Sequence, residues 1–446
     1  MTSEMGRPDE RARPLRLAPF RAVRYNPSRV ADLGAVTCPP YDVIGGDHVG
    51  EWEAADPHNV VRLILPRNGH GDGRYANAAA DLQAWLAEGV LIRDESPALY
   101  VYEQSSDEGA ALGLIGAVSL HEPAEGRIVP HEDVFPGPVA DRTALMSATR
   151  AQFEPILLTY EGNGAASDAI DRAVAATPLV EMTTTDGATH RLWRLTDPRL
   201  HRTVAADLAE RQLLIADGHH RYAAYLALRS RGDPSPEAPR AYGLAMVVDA
   251  ARHPLRLAAI HRSVADLSLD DAADAAGRAF RTVGFREVEG DLDAVVHMLD
   301  DSPSSHRFVL SDGRSVALLS DPHPDAVRAS MPADRSPLWQ SLDASIAQRL
   351  LLSTLWKLDD DDMRIAYHHR AIDALERAAR SSGVAVLLAP ARHSDVLALA
   401  ARGERLPHKS TSFGPKPRTG LLMRLLDDEG TISEGSQAAD TASGPA

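Results

Sequence analysis

Leu213-Leu214-Ile215-Ala216-Asp217-Gly218-His219-His220-Arg221-Tyr222-Ala223-Ala224-Tyr225-Leu226 is the stretch on which the reading of this chain turns. It opens with a short apolar run that reads as a buried strand, and Tyr222, Tyr225, Leu226 and Leu228 then recur at helical spacing. An acid, a glycine, two histidines and an arginine stand between the two patterns, so this polar cluster falls where a strand becomes the N-terminus of a helix. Such a turn presents backbone N–H groups without helical acceptors and the positive end of the helix dipole. Gly218 lets the backbone approach a phosphate closely. Arg221 can grip phosphate oxygens bidentately. Asp217 can hold a magnesium ion or polarise a hydroxyl. The plainer reading makes Asp217 a helix cap, but five such groups in one turn weigh toward a site.

Working outward, the chain has 446 residues, 44% of them hydrophobic, enough core for two or three domains. Its 47 basic and 63 acidic residues give a formal charge of −16, which argues against a nucleic-acid partner. Cys38 is the only cysteine, so no internal disulfide and no cysteine metal cluster is expected. No apolar run is long enough to span a membrane, and Met1 to Arg16 lacks an apolar signal core, so a cytoplasmic protein is expected.

The pattern predicts an α+β (mixed α/β) fold: a disordered tail over 1–16, a core domain over 17–265, a small α+β module over 266–330, a C-terminal α/β part over 331–427 and a disordered tail over 428–446. Strands are expected at Val60–Leu65, Ala98–Tyr102, Leu112–Leu120, Ile156–Tyr160, Tyr242–Asp249, Leu257–Ile260, Val384–Leu388 and Thr419–Leu426, with a hairpin about Asp312-Gly313. Helices are expected at Tyr75–Glu88, Arg142–Arg150, Ala165–Ala176, Asp271–Thr282, Ala294–Leu299, Leu338–Trp356 and Ser394–Arg402.

Other polar clusters join the central turn as candidates. Pro39 and Pro40 stiffen the chain before Tyr41 and Asp42. His131 and Glu132 sit in a proline-rich loop, where functional residues concentrate. Arg142 on its helix, and His261-Arg262 at a strand end, are candidate anion grips. Leu406 to Pro417 reads as a loop in which Lys409, Ser410, Thr411 and Lys416 suit a phosphate or carboxylate, although the Walker A spacing is missing. The four acids Asp359 to Asp362 read as a solvated turn.

Four of these stretches together, Pro39-Pro40-Tyr41-Asp42-Val43-Ile44, Pro130-His131-Glu132, Ala216-Asp217-Gly218-His219-His220-Arg221-Tyr222, and Lys409-Ser410-Thr411 with Pro415-Lys416, resemble the bacterial and archaeal family catalogued as domain of unknown function one-thousand-fifteen, from about Phe20 to about Leu426. The Asp-Gly-His-x-Arg turn is also similar to the phosphate motif of the ParB/sulfiredoxin-like superfamily, which includes CTP-binding ParB, ATP-using sulfiredoxin and nucleotide-dependent free-serine kinases. That resemblance implies a nucleotide-binding core in which Gly218, His219, His220 and Arg221 contact phosphate and Asp217 lies near a metal or the acceptor hydroxyl. The ParB arginine pair is absent, since His220 precedes Arg221, and so is the reactive cysteine of sulfiredoxin, which favours the kinase-like branch.

The expected function is therefore a magnesium-dependent phosphotransferase using ATP or ADP on a small hydroxyl compound, with serine as the candidate. Asp42, Glu132 or Asp217 would take the acceptor proton, Asp217 and His131 would hold the metal, and Asp217→Ala would abolish turnover whereas Arg221→Ala would mainly weaken nucleotide binding. Two alternatives stand beside it. One is a nucleotide-binding regulatory switch. The other is a hydrolase with zinc or manganese on His131, Glu132, Asp217, His219 and His220.

Overall fold

Apolar runs of the described residues assemble into two large sheets, one of nine strands and one of six, beside three two-stranded pairs. The computed structural model describes residues 13–45, 48–67, 71, 73–107, 109–233, 235–287, 295, 298–299, 306–359, 362–407 and 409–426. They form two compact units: the first gathers the chain up to Val129, Val134–Leu255 and the part from Pro415 on; the second gathers Pro130–Asp133 and Arg256–Gly414.

The large sheet of the first unit is built from β1 (Leu17–Ala18), β2 (Leu99–Ser106), β3 (Gly109–Ser119), β4 (Ile128–Pro130, its last residue counted with the second unit), β5 (Ile156–Tyr160), β6 (Val180–Thr183), β7 (Thr189–Leu195), β8 (Leu213–Asp217) and β9 (Tyr242–Asp249). Their spatial order is β4-β8-β5-β9-β3-β2-β7-β6, with β1 alongside β3. The sheet is mixed: β9 runs parallel to β5 and antiparallel to β3. Every residue of β5, β8 and β9 is buried, which is why their sequences are near-continuous apolar runs rather than alternating ones.

The helices of this unit include α1 (Gly73–Ala87), α2 (Pro136–Thr149), α3 (Ala165–Val174), α4 (Pro198–Leu208) and α5 (His219–Arg229). The helical spacing read at Tyr222, Tyr225 and Leu228 places all three in the core with Ile156, Leu158, Leu213, Ile215, Ala245 and Val247. Both phenols are anchored as well as packed: Tyr222 Oη donates to the His121 carbonyl at 2.6 Å and Tyr225 Oη to that of Glu154 at 3.2 Å. α5 lies directly on β9, because a Cβ at Gly243 would come within 2.4 Å of the Tyr225 ring.

His190, on β7, is 1% exposed and sits between two hydroxyls, Tyr102 Oη 2.8 Å from Nδ1 and Thr184 Oγ1 3.2 Å from Nε2. Burial, with Arg418 adding to it and Asp186 opposing, lowers its pKa from 6.5 to about 4. The unfolded chain therefore binds the proton first as pH falls. Stability is full above pH 6.5 and declines between about pH 6.5 and 4, by on the order of 3 kcal/mol for this group. Urea midpoints at pH 7 and pH 4.5 are expected to fall less in His190→Gln than in wild type; equal declines would contradict this.

The second unit contains β10 (Arg256–Ala259), β11 (His261–Val264), β12 (Arg281–Glu287), β13 (Arg307–Ser311), β14 (Ser315–Ser320), β15 (Ile365–His368), β16 (Val384–Leu388) and β17 (Thr411–Gly414). The order β12-β14-β13-β16-β11-β15 makes one six-stranded sheet, and β10 pairs with β17. Its helices include α6 (Leu269–Ala276), α7 (Ala371–Arg380) and α8 (His393–Ala401). The α7 residues Ala374, Leu375 and Ala378 pack on Val309, Val316, Ala385 and Leu387. Because β16 pairs with both β11 and β13, this sheet joins segments that the sequence reading divides at 265 and at 330.

Several local expectations are corrected. Val60–Leu65 holds a helical turn, Val61–Ile64, rather than a strand; Asn59 Oδ1 accepts from Val61 N at 2.9 Å, and Val61, Leu63 and Ile64 are all buried, so no periodicity marks the turn. The helix read over Asp271–Thr282 ends at Ala276, and Arg281 opens β12. Leu338–Trp356 is broken by extended Leu342 into a turn, Pro337–Gln340, and a π-helix, Ile346–Leu355. Thr411–Gly414 is a strand where a loop is expected, and in Thr419–Leu426 only Arg424–Leu425 forms one. Within the expected N-terminal tail, Leu15 is buried and its N–H donates to Ala209 O at 2.9 Å. The remaining tail expectations and most of the helix expected at Ala294–Leu299 lie outside the described residues. Among the described residues no helix is long and apolar enough to cross a membrane.

Candidate functional site

The central turn is built by β8 and α5. Between Ile215 and Asp217 the pairing of β8 with β5 slips by one residue, a bulge of the kind that re-aims the side chain following it. Gly218 then caps α5 at φ +92°, in the left-handed region that favours glycine. The helical hydrogen bonds begin with Tyr222 N donating to Gly218 O at 2.9 Å, so the N–H groups of His219, His220 and Arg221 precede the first of them.

Asp217 does not cap this helix. Its carboxylate lies between two cations: Arg221 Nη2 donates to Oδ2 at 2.6 Å, and Lys416 Nζ is 2.5 Å from Oδ1. The same ammonium lies 3.3 Å from Asp42 Oδ2, so Lys416 bridges two carboxylates that are far apart in sequence. Arg221 is 1% exposed, and its Nη1 donates to Pro155 O at 2.9 Å. Burial alone would lower the pKa of both cations. For Arg221 the carboxylates of Glu154, Asp217 and Asp42 outweigh burial, and for Lys416 those of Asp217 and Asp42 do, so both remain protonated well above their ordinary values.

Tyr41 completes the cluster. Its backbone N–H donates to Glu154 Oε1 at 2.9 Å, and the Arg142 guanidinium lies 4.3 Å above its ring. Burial is the largest cause raising its phenol pKa, to about 12, against the lowering pull of Arg221. Arg142 itself is buried and donates to Ile64 O at 2.7 Å and, through Nε, to Asp141 at 2.9 Å, so its polar edge is already engaged. His220 Nε2 accepts from Phe135 N at 3.0 Å, and its ring stacks on that of Phe135.

Three of the sequence motifs thus meet in the first unit: Tyr41-Asp42, Asp217–Arg221 and Lys416. The others, Arg142 apart, belong to the second. There His131, 1% exposed, has Nε2 3.2 Å from Thr411 Oγ1, with Glu132 Oε1 at 4.0 Å; Ser410 Oγ donates to Pro407 O, and Lys409 has φ +54°. His261 and Arg262 lie on β11 of that unit. Sequence reasoning passed over Glu154, whose Oε1 also accepts from Thr419 Oγ1 at 3.2 Å. The available signal is an acid one proline ahead of the apolar strand Ile156–Tyr160.

Magnesium takes oxygen ligands and fits where carboxylates are open to it. At Asp217 it does not fit: an ammonium stands between Asp217 and Asp42, and a guanidinium holds the other Asp217 oxygen. Among the described residues no three His, Cys, Asp or Glu side chains converge as a metal-binding group. What this turn can do is receive an anion on the first N–H groups of α5, beside a lysine that two carboxylates hold in place.

Among solved structures the chain is similar to SbnI from Staphylococcus aureus (12% identity, TM-score 0.36, 71% of this chain and 91% of that one). It is also similar to a free serine kinase in complex with AMP (13%, 0.33, 65% and 84%) and to a conserved hypothetical protein from Pyrococcus furiosus (13%, 0.31, 65% and 87%). Likeness of that degree establishes neither a shared fold nor a shared activity. No curated protein matches the sequence. Residues 17–345 match the family described as "Protein of unknown function (DUF1015)", and the chain belongs to that family.

Proposed function

We propose that the first unit binds the phosphates of a nucleotide at the start of α5 and transfers a phosphoryl group to the hydroxyl of a small metabolite, with serine as the first candidate. The observation that carries this reading is the meeting of Asp42, Asp217 and Lys416 at a helix N-terminus that opens on a left-handed glycine. Phosphoryl transfer needs positioning and charge neutralisation more than covalent chemistry, and helix N–H groups with an adjacent ammonium supply both. The similarity of the Asp-Gly-His-x-Arg turn to the ParB/sulfiredoxin-like motif points the same way.

In this reading Lys416 neutralises charge on the transferred group. Arg221 is a positioning residue that acts through Asp217. Asp42, whose side chain is 32% exposed, is the base. The acceptor oxygen forms the new bond to the terminal phosphorus, the bond from that phosphorus to the bridging oxygen breaks, and the hydroxyl proton passes to the Asp42 carboxylate. Asp217 is assigned no metal. The engagement of Asp217 by two cations favours a second reading, a nucleotide-dependent switch without turnover.

The test is phosphorus NMR of the full chain with ATP or ADP and serine, with and without magnesium. Wild type is expected to form the phosphate ester, and Asp42→Asn to bind nucleotide but lose at least about a hundredfold in rate, the scale of one general base. Nucleotide binding without any ester, across a panel of small hydroxyl acceptors, would replace this reading with the switch.

A further inference from the structure

Among the described residues three arginines are among the largest fully buried side chains; one of them faces a carboxylate and another has its donors engaged by neutral oxygens. Arg221 faces Asp217 at 2.6 Å, and Arg424 donates to Gln152 Oε1, Tyr242 O and Pro239 O. Arg262, on β11 in the second unit, is 0% exposed and differs from both. Its Nη1 donates to Ile260 O at 2.5 Å, while Nε and Nη2 have no hydrogen-bond partner among the described residues. Nε–H and Nη2–H are the parallel pair along one edge of a guanidinium, the pair that receives the two oxygens of an oxyanion.

We propose that the second unit binds a small oxyanion, a carboxylate or a phosphate, side-on along the Nε–Nη2 edge of Arg262. This is independent of the nucleotide reading and concerns the other unit. An uncompensated buried guanidinium is costly. Its register neighbours are Tyr367 on β15 and Val386 on β16, and the Tyr367 ring centroid lies 5.5 Å from the guanidinium. Neither supplies a negative charge, so a bound anion is the group that would balance the site.

Burial lowers the pKa of Arg262 only to about 10, with Tyr367 opposing, so the guanidinium keeps its charge at neutral pH. The adjacent His261 accepts from Leu388 N at 3.3 Å, and burial, then Arg262 and His368, lower its pKa to about 4, so it adds no charge. One cation with one open fork matches a monoanion, which favours a carboxylate over a phosphate dianion. Because the guanidinium is 0% exposed, entry requires local opening and binding is expected to be slow.

The test is scanning calorimetry of the full chain in sodium acetate, sodium phosphate and sodium chloride at equal ionic strength, for wild type, Arg262→Met, Arg262→Lys and Lys416→Met. Acetate is expected to raise the wild-type midpoint above that in chloride, and the rise is expected to persist in Lys416→Met and vanish in Arg262→Met. Without added anion, Arg262→Met should melt at or above wild type, since an unbalanced charge is replaced by an apolar chain. Arg262→Lys keeps the charge without the fork and should also lose the rise, which covers the case that Arg262→Met does not fold. A rise in phosphate but not acetate would identify phosphate as the source while keeping the site. No rise in either anion, or a full rise retained in Arg262→Lys, would overturn the proposal.

Discussion

Asp217→Ala is expected to lower the unfolding free energy by about 3–5 kcal/mol, because it strands a buried charge. The carboxylate is the shared counter-ion of Arg221 and Lys416, at 2.6 and 2.5 Å. Arg221 is 1% exposed and would keep its donation to Pro155 O while losing the carboxylate its Nη2 donates to. The loss is specific to an uncompensated charge, so it should be largely recovered when Arg221→Met is added: the double variant is expected to be more stable than Asp217→Ala alone. Chemical denaturation of the two single variants and the double gives the coupling directly. A purely additive cycle would mean that the Asp217–Arg221 contact carries no net interaction.

Gly218→Ala is expected to cost about 2–4 kcal/mol, combining left-handed strain with overpacking. A Cβ at φ +92° would stand 2.8 Å from Ile156 Cγ2 and 3.2 Å from Arg221 Nε, so the side chain meets the strand and the buried cation at once. Relief requires moving the turn that presents the first N–H groups of α5, and nucleotide affinity is expected to fall at least about tenfold with it. Gly126→Ala separates the two causes, since Gly126 also has positive φ, +67°, but a Cβ there would find only Gln212 Nε2, at 3.9 Å. That control should lose about 1–2 kcal/mol from strain alone. Equal losses at the two positions would remove the packing part of the account.

Much of the fold was legible because the information is local. The apolar runs Ile156–Tyr160, Leu213–Asp217 and Tyr242–Asp249 are strands, and the spacing of Tyr222, Tyr225 and Leu228 gives the buried face of α5. Val60–Leu65 carries no strand signal distinct from a helical one, because Val61, Leu63 and Ile64 are buried together and burial on all sides leaves no period to distinguish helix from strand. Leu338–Trp356 has the pattern of one helix because the break at Leu342 is marked by neither proline nor glycine.

At the candidate site the residue types were legible and their pairings were not. Asp217 and Arg221 were both read as ligand groups, yet they stand four residues apart and satisfy one another. That burial changes the expectation for Arg221→Ala: its first effect is on stability, ahead of any effect on nucleotide. Lys416 was visible as a cation in a proline-held segment, but its bridge to Asp42 spans 374 residues and leaves no local trace. Glu154 went unread for the same reason, since its partners Tyr41 and Thr419 are 113 and 265 residues away.

The most direct measurement is calorimetric titration of ATP, ADP, CTP and GTP into the full chain, with and without magnesium, for wild type, Lys416→Met and Gly218→Ala. The account predicts saturable binding of at least one nucleotide to wild type, weakened at least about tenfold in both variants, which is about 1.4 kcal/mol of binding free energy. Absence of binding by all four nucleotides, or binding of equal affinity in all three proteins, would contradict a phosphate site at the start of α5.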